Sequence, residues 1–259
     1  MLIIVIILLI ILIIFSAKYP WWLPTKNGLI VLMYHHIYKY DNTCDLDKQL
    51  YVEPVKFAKQ IDFLLKHKYT PISLEELSKS YQYGSFKLPK KSVLITFDDG
   101  WLDNYTKAFP ILREKNVKAN IFISCNFIEQ KNCMTWSQLL EMKNSGLIYF
   151  GSHTLSHPTD IQTLNDDKIV QELKESKQKL EQELNIKIDS FAYPSGKGAI
   201  NAKIRKMVFD NGYFFDFSTK RGITPFKWNK EKAIKRLYIK QSHNLFDFYL
   251  LVTKGKNSF

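Results

Sequence analysis

The chain has 259 residues, 46% of them apolar and 24% charged, with a formal net charge of +12. That length fits one large α/β domain and is thin for two, and the apolar fraction is enough for a substantial core. The basic residues are scattered from Lys18 to Lys256 with no nucleic-acid-binding motif among them. The charge therefore reads as a lysine-rich solvated surface or as attraction to an anionic membrane or envelope polymer, with nucleic acid excluded as a partner.

The first element is apolar. Residues 2–15 carry no polar side chain, and Lys18, Trp21 and Trp22 come next. A bilayer-crossing helix needs roughly 17 to 25 residues, so the run is marginal in length, and tryptophans suit the membrane–water interface. Residues 1–24 are expected to be an uncleaved membrane anchor. The rival is a cleaved signal peptide, which normally has a basic start and a small-x-small cleavage site; this chain has neither. The positive-inside rule, applied to Lys18 and Lys26, would leave the C-terminal part cytoplasmic.

Residues 25–259 form the folded domain. Residues 29–33 are an unbroken apolar run of the kind found in buried parallel strands. A helix is expected over 53–68 with Pro54 in its first turn, and another from Ser73, where Ser73 and Glu76 form a capping pattern. Further strands are expected at 93–97, 119–123, 147–150, 190–193, 214–218 and 236–239. Helices intervene at 105–115, 136–145, 166–184 and 201–211, and one closes the chain at 246–254. Strands alternating with helices imply parallel strands, and about seven such units imply a barrel with its chemistry at the C-terminal ends of the strands. Three cysteines, Cys44, Cys125 and Cys133, fit no zinc-ribbon or CxxC spacing; Cys125 and Cys133 are the nearest pair for a disulfide.

The residues just past the strand ends are the ones that carry chemistry. Asp98-Asp99-Gly100 comes directly after the strand at 93–97. Two adjacent carboxylates at a strand end repel each other and cost solvation, which a nearby cation would relieve, and Gly100 permits the sharp turn. His153 and His157 stand four apart after the strand at 147–150, a spacing that lets two imidazoles grip one metal. One carboxylate and two imidazoles leave open positions for water and substrate. Tyr193-Pro194-Ser195-Gly196 is a turn able to aim backbone N–H groups at an oxyanion, although structural turns also use Pro and Gly. His35 comes after the first strand, where it is placed either to protonate a leaving amine or to serve as a structural histidine; His36 reads more readily as structural.

Taken together these residues resemble carbohydrate esterase family 4, the polysaccharide deacetylases with the nodulation-type deacetylase domain. Thr96-Phe-Asp-Asp-Gly100 is similar to the family's first motif and Ser152-His-Thr-Leu-Ser-His-Pro158 to its second, and the resemblance covers about residues 28–245. It implies a distorted (β/α)7 barrel. It also implies Asp98 as general base, with Asp99, His153 and His157 holding a metal. That metal is usually zinc; cobalt or nickel suits the same donors. The implied reaction is hydrolysis of an N-acetyl amide by a water activated at the metal, with a backbone N–H at Ser195 on the oxyanion. The chain departs from the common pattern at Ala192 and Ser195, where the third motif usually carries other residues. Arg236 is the candidate replacement for the missing base-orienting arginine. Tyr34-His35 resembles the subgroup acting on poly-β-1,6-N-acetylglucosamine, which implies His35 as general acid, with His243 as fallback.

The expected activity is thus metal-dependent deacetylation of an N-acetylglucosamine-containing envelope or exported polysaccharide, by a domain that the resemblance, against the bias of two lysines, implies is held outside the cytoplasm. The alternatives are a deacylase or deformylase of a lipid-linked amino sugar, and a non-catalytic glycan-binding protein. The N-acetylated glycan and the membrane are the expected partners; no protein partner is named.

Overall fold

The computed structural model describes residues 2–40 and 47–258; Cys44 lies outside them. Helix α1 (Leu2–Lys18) precedes the barrel. The remaining elements alternate: β1 (Ile30–Tyr34), α2 (Pro54–Lys66), β2 (Thr70–Pro71), α3 (Leu74–Tyr81), β3 (Ser92–Asp99), α4 (Phe109–Glu114), β4 (Ala119–Ile123), α5 (Trp136–Asn144), β5 (Ile148–Ser152), α6 (Asp166–Leu184), β6 (Ser190–Ala192), α7 (Ala202–Asp210), β7 (Phe215–Arg221), β8 (Ile234–Tyr238) and α8 (Leu245–Lys254).

Neighbouring strands run parallel in the order β1-β8-β7-β6-β5-β4-β3, and β1 pairs with β3 to close the ring. Seven parallel strands therefore make the barrel, as the alternation of strand and helix predicts. The two-residue β2 pairs only with Ser92 and Val93 at the start of β3, and β4 takes over from Thr96.

Each strand divides its side chains between two apolar layers because successive residues point to opposite faces. Val31, Leu94, Phe122, Phe217 and Ile234 pack together inside the ring. Ile72, Leu74 and Leu77, at and beside α3, join them and close the N-terminal end, where Leu74 N–H donates to the Asn120 carboxamide at 2.8 Å. Ile30, Leu32, Val93, Ile95, Ile121 and Phe191 face the surrounding helices. The expected cap on α3 forms in full: Ser73 Oγ accepts from Glu76 N–H, and the Glu76 carboxylate accepts from Ser73 N–H. With the C-terminal strand ends left open, this rim is where polar groups collect.

Three expectations change. The helix expected at 105–115 begins as a π-helical turn, Asn104–Ala108, in which Phe109 N–H reaches back five residues to Asn104 C=O. Pro110 has no N–H to offer the preceding turn, which favours the wider loop. Cys125 and Cys133 are both free buried thiols, so this nearest pair forms no disulfide. Among the described residues, no helix is long and apolar enough to cross a membrane. Helix α1 has 17 residues, roughly 26 Å at 1.5 Å per residue, against a hydrocarbon core of about 30 Å. Its apolar side chains are exposed, and its C-terminal end rests on α8 through Phe15 and Tyr19 against Phe246.

Candidate metal centre and active site

The two carboxylates at the end of β3 part company. Asp98 has the inward parity of Leu94 and Thr96 and is 2% exposed. Its Oδ1 accepts from Arg236 Nη1 at 2.7 Å, and Arg236, on β8, is itself fully buried. Arg236 Nε donates to Ser218 C=O at 3.1 Å, and its guanidinium lies over the Phe122 ring. Burial alone would raise the Asp98 carboxyl, but the charges of Arg236, His153 and His35 outweigh it and hold Asp98 below the usual carboxylate range. Arg236 thus reaches the base candidate from 138 residues away.

Asp99 is swung the other way by a left-handed backbone, φ 81°, and Gly100 continues the turn at φ 106°. Trp101 Nε1 donates to Asp99 Oδ2 at 2.9 Å. That leaves Asp99 Oδ1 buried with no hydrogen-bond partner, and two imidazole nitrogens face it. His157 Nε2 lies 3.3 Å away and His153 Nε2 3.5 Å away. His153 Nδ1 sits 2.7 Å from Ala192 C=O. A carbonyl only accepts, so Nδ1 carries the proton and Nε2 presents its lone pair. Burial pushes the His153 imidazole down to about 4, keeping it neutral. For His157, burial pulls down but the negative charge of the Asp99 carboxylate beside it wins, so its affinity for a proton is raised.

The turn carrying His157 is strained and braced. Thr154 and His157 both have positive φ, 71° and 57°, a conformation that costs of order 1 kcal/mol or more per residue. Thr154 Oγ1 accepts from His157 N–H. The Glu172 carboxylate, from α6, accepts from Leu155 N–H, Ser156 N–H and Ser156 Oγ.

These donors fit a divalent metal. Asp99, His153 and His157 offer one ligand atom each, all within 4.8 Å of one another. An unpartnered buried carboxylate oxygen between two neutral-capable nitrogens is costly without a cation and satisfied by one. Asp98 stands beside the cluster, its Oδ2 4.0 Å from His153 Nε2.

A cavity of about 480 Å³ opens over the cluster, lined among others by Met33, His35, Trp101, Phe127, Thr219 and Tyr238. His35 lies on it as the sequence predicts; burial lowers its proton affinity, against the pull of Asp99 and Asp98, and its Nδ1 has no partner. Ser195 lines the same cavity at φ 53°. Pro194 is buried at the head of that turn and is not among the lining residues. Tyr193 departs from expectation: its hydroxyl donates to Asp216 Oδ2 at 3.0 Å, in a buried network with Arg205. Its side chain has the outward parity of Phe191 and does not line the cavity. His243 is buried away from the cavity, its Nδ1 accepting from Lys240 N–H. His36 pairs with Asp103 at 2.6 Å and stacks on Tyr51.

Trp101, Glu172 and Tyr238 also stand at this rim, and the sequence pattern does not single them out. Trp101 carries a usable signal, since it comes directly after the Asp-Asp-Gly turn. Glu172 sits in a charged helix where nothing distinguishes it from its neighbours.

The comparisons with known proteins agree with the geometry. Residues 86–215 match the polysaccharide deacetylase family model. The poly-beta-1,6-N-acetyl-D-glucosamine N-deacetylase of Staphylococcus epidermidis is 30% identical over 222 residues, covering 77% of this chain and 75% of that protein. Among solved structures, the Streptococcus pyogenes deacetylase PplD, in complex with acetate, aligns at TM-score 0.75 and 28% identity, covering 84% of this chain and 94% of that one. BC0361, a polysaccharide deacetylase from Bacillus cereus, aligns at TM-score 0.77 and 26% identity, covering 88% of this chain and 69% of that one. The fold and the rim define a hydrolase built on a seven-stranded parallel barrel. The chain belongs to the polysaccharide deacetylase family.

Proposed function

We propose that this deacetylase hydrolyses N-acetyl groups on an N-acetylglucosamine-containing polysaccharide of the cell envelope or an exported polymer. The observation that carries the reading is the unpartnered Asp99 Oδ1 between His153 and His157, with Asp98 beside it on Arg236. The substrate class rests on the Staphylococcus epidermidis relative, whose name gives its polymer.

Asp99, His153 and His157 would hold a divalent metal, zinc by availability and donor type. When bound it supplies Lewis-acid activation of water and of the amide carbonyl. Asp98, kept ionised and aimed by Arg236, takes the proton of the attacking water. The backbone N–H of Ser195, on the cavity wall, is assigned to the developing oxyanion. As the C–N bond breaks, His35 gives a proton to the departing sugar amine, and acetate and free amine leave.

The apolar, exposed α1 with Trp21 and Trp22 supports attachment of the chain to a membrane, with the barrel on the side where the polymer lies. The same helix favours a second reading, a deacylase or deformylase of a lipid-linked amino sugar.

The test is acetate and amine release from β-1,6-linked N-acetylglucosamine oligomers after chelation, with and without added zinc. Release restored by zinc supports the reading. Zinc uptake without release on the oligomer, but with release on a lipid-linked amino sugar, moves the assignment to the second reading. Neither uptake nor release would leave a glycan-binding protein.

A further inference from the structure

We propose that Tyr238 is a substrate-positioning residue, its phenol hydroxyl hydrogen-bonding a ring hydroxyl of the sugar whose acetamido group is being cleaved. This rests on the deacetylase reading above and goes beyond it to a contact that sets which acyl compounds are accepted.

Tyr238 ends β8, and its Cα partner across the strand pair is Met33 on β1, two residues before His35. The Tyr238 ring meets the His35 imidazole edge to face, with centroids 5.7 Å apart and planes at 72°. Both line the cavity that also holds Asp98, Asp99, His157 and Ser195. Around the rim the order is therefore the acyl-activating groups at the end of β3, the proton donor after β1, and Tyr238 at the end of β8. An acetamido group with its carbonyl beside Ser195, over Asp99 and His157, and its nitrogen at His35 directs the attached pyranose toward Tyr238.

The Tyr238 hydroxyl is buried and has no hydrogen-bond partner among the described residues. A phenol left this way destabilises the fold unless a ligand or water satisfies it. Burial also raises its pKa, so it remains a neutral phenol able to donate and accept. The Lys240 ammonium lies 5.6 Å from the ring centroid. A ring that only filled space here would be served as well by phenylalanine; the hydroxyl marks a polar ligand.

The test compares wild type and Tyr238→Phe, both loaded with zinc, on β-1,6-linked N-acetylglucosamine oligomers and on 4-nitrophenyl acetate. The ester has no sugar, and its leaving group needs no proton. We expect kcat/KM on the oligomer to fall about tenfold, mostly through KM, with the ester unchanged. The melting temperature should hold or rise, because an unsatisfied buried group is removed. Unchanged oligomer turnover overturns the proposal, and so does an equal loss on both substrates, which marks a structural role. In those two cases wild-type turnover of the oligomer keeps the deacetylase reading intact. A wild-type enzyme that leaves the oligomer untouched overturns both.

Discussion

Two buried arginine–aspartate pairs in one barrel are built to different ends. Arg205 and Asp216, between α7 and β7, meet in a two-point contact at 2.6 and 3.1 Å. Tyr193 adds a third hydrogen bond to the carboxylate, and two further guanidinium protons go to Lys230 C=O and Glu231 C=O. Every charge is answered from within the protein. Arg236 and Asp98 meet at a single point, and Arg236 Nη2 is left without a partner among the described residues. Around them Asp99 Oδ1, His35 Nδ1 and the Tyr238 hydroxyl are also unanswered. A buried pair that satisfies itself fixes the fold, whereas one that leaves lone pairs and protons facing a cavity is set up for something that enters it.

The sharpest way to break the contrast is to neutralise each site in turn. Asp98→Asn should cut kcat about a thousandfold, in the range of a lost general base, while the metal is still taken up. Turnover within tenfold of wild type would remove Asp98 from the chemistry. Arg205→Met should do the reverse. It leaves Asp216 buried and unpaired, so unfolding should cost about 3 to 5 kcal/mol less, with kcat intact well below the melting transition. A denaturant titration beside an activity assay reads both, and an early loss of kcat would merge the two networks.

A smaller effect separates two histidines. His153 at the site and His243 away from it are both pushed down to about 4 by burial. The unfolded chain takes up these protons near pH 6.5 and the folded chain does not, so each contribution to stability falls as pH drops from about 6.5 to 4. Raised His157 acts oppositely: its contribution is full below about 6.5 and is lost as pH rises through its higher folded value. The metal-free protein should therefore lose melting temperature on acidification toward pH 4, less so in His243→Gln. Zinc should steepen the slope through His153, because metal needs the neutral imidazole, and leave the share of His243 untouched. A slope unaffected by zinc would contradict the site.

The barrel is legible in the sequence because apolar runs and amphipathic helices alternate from residue 29 to 254, and parallel strands need such crossovers. Asp98, Asp99, His153 and His157 are legible because each pair stands at or just past the end of a strand, where side chains reach the rim. Partners distant in sequence are harder to see. Arg236 is signalled only by an arginine missing elsewhere; the Ala192 carbonyl that fixes His153 and the Glu172 brace on the His157 turn have no local mark. Tyr193 escapes its expected place because strand parity, which sends it outward to Asp216, outweighs its position beside the Pro194-Ser195 turn. Helix α1 is recognisable by composition, yet the length realised by the backbone falls short of a span.

The most direct test of the central contrast is a zinc titration of the chelated protein, monitored by calorimetry, for wild type, His153→Ala and Arg205→Met. One zinc per chain in wild type and in Arg205→Met, with uptake lost in His153→Ala, is the result this account predicts. Uptake that survives the loss of His153, or no uptake by the wild type, would contradict it.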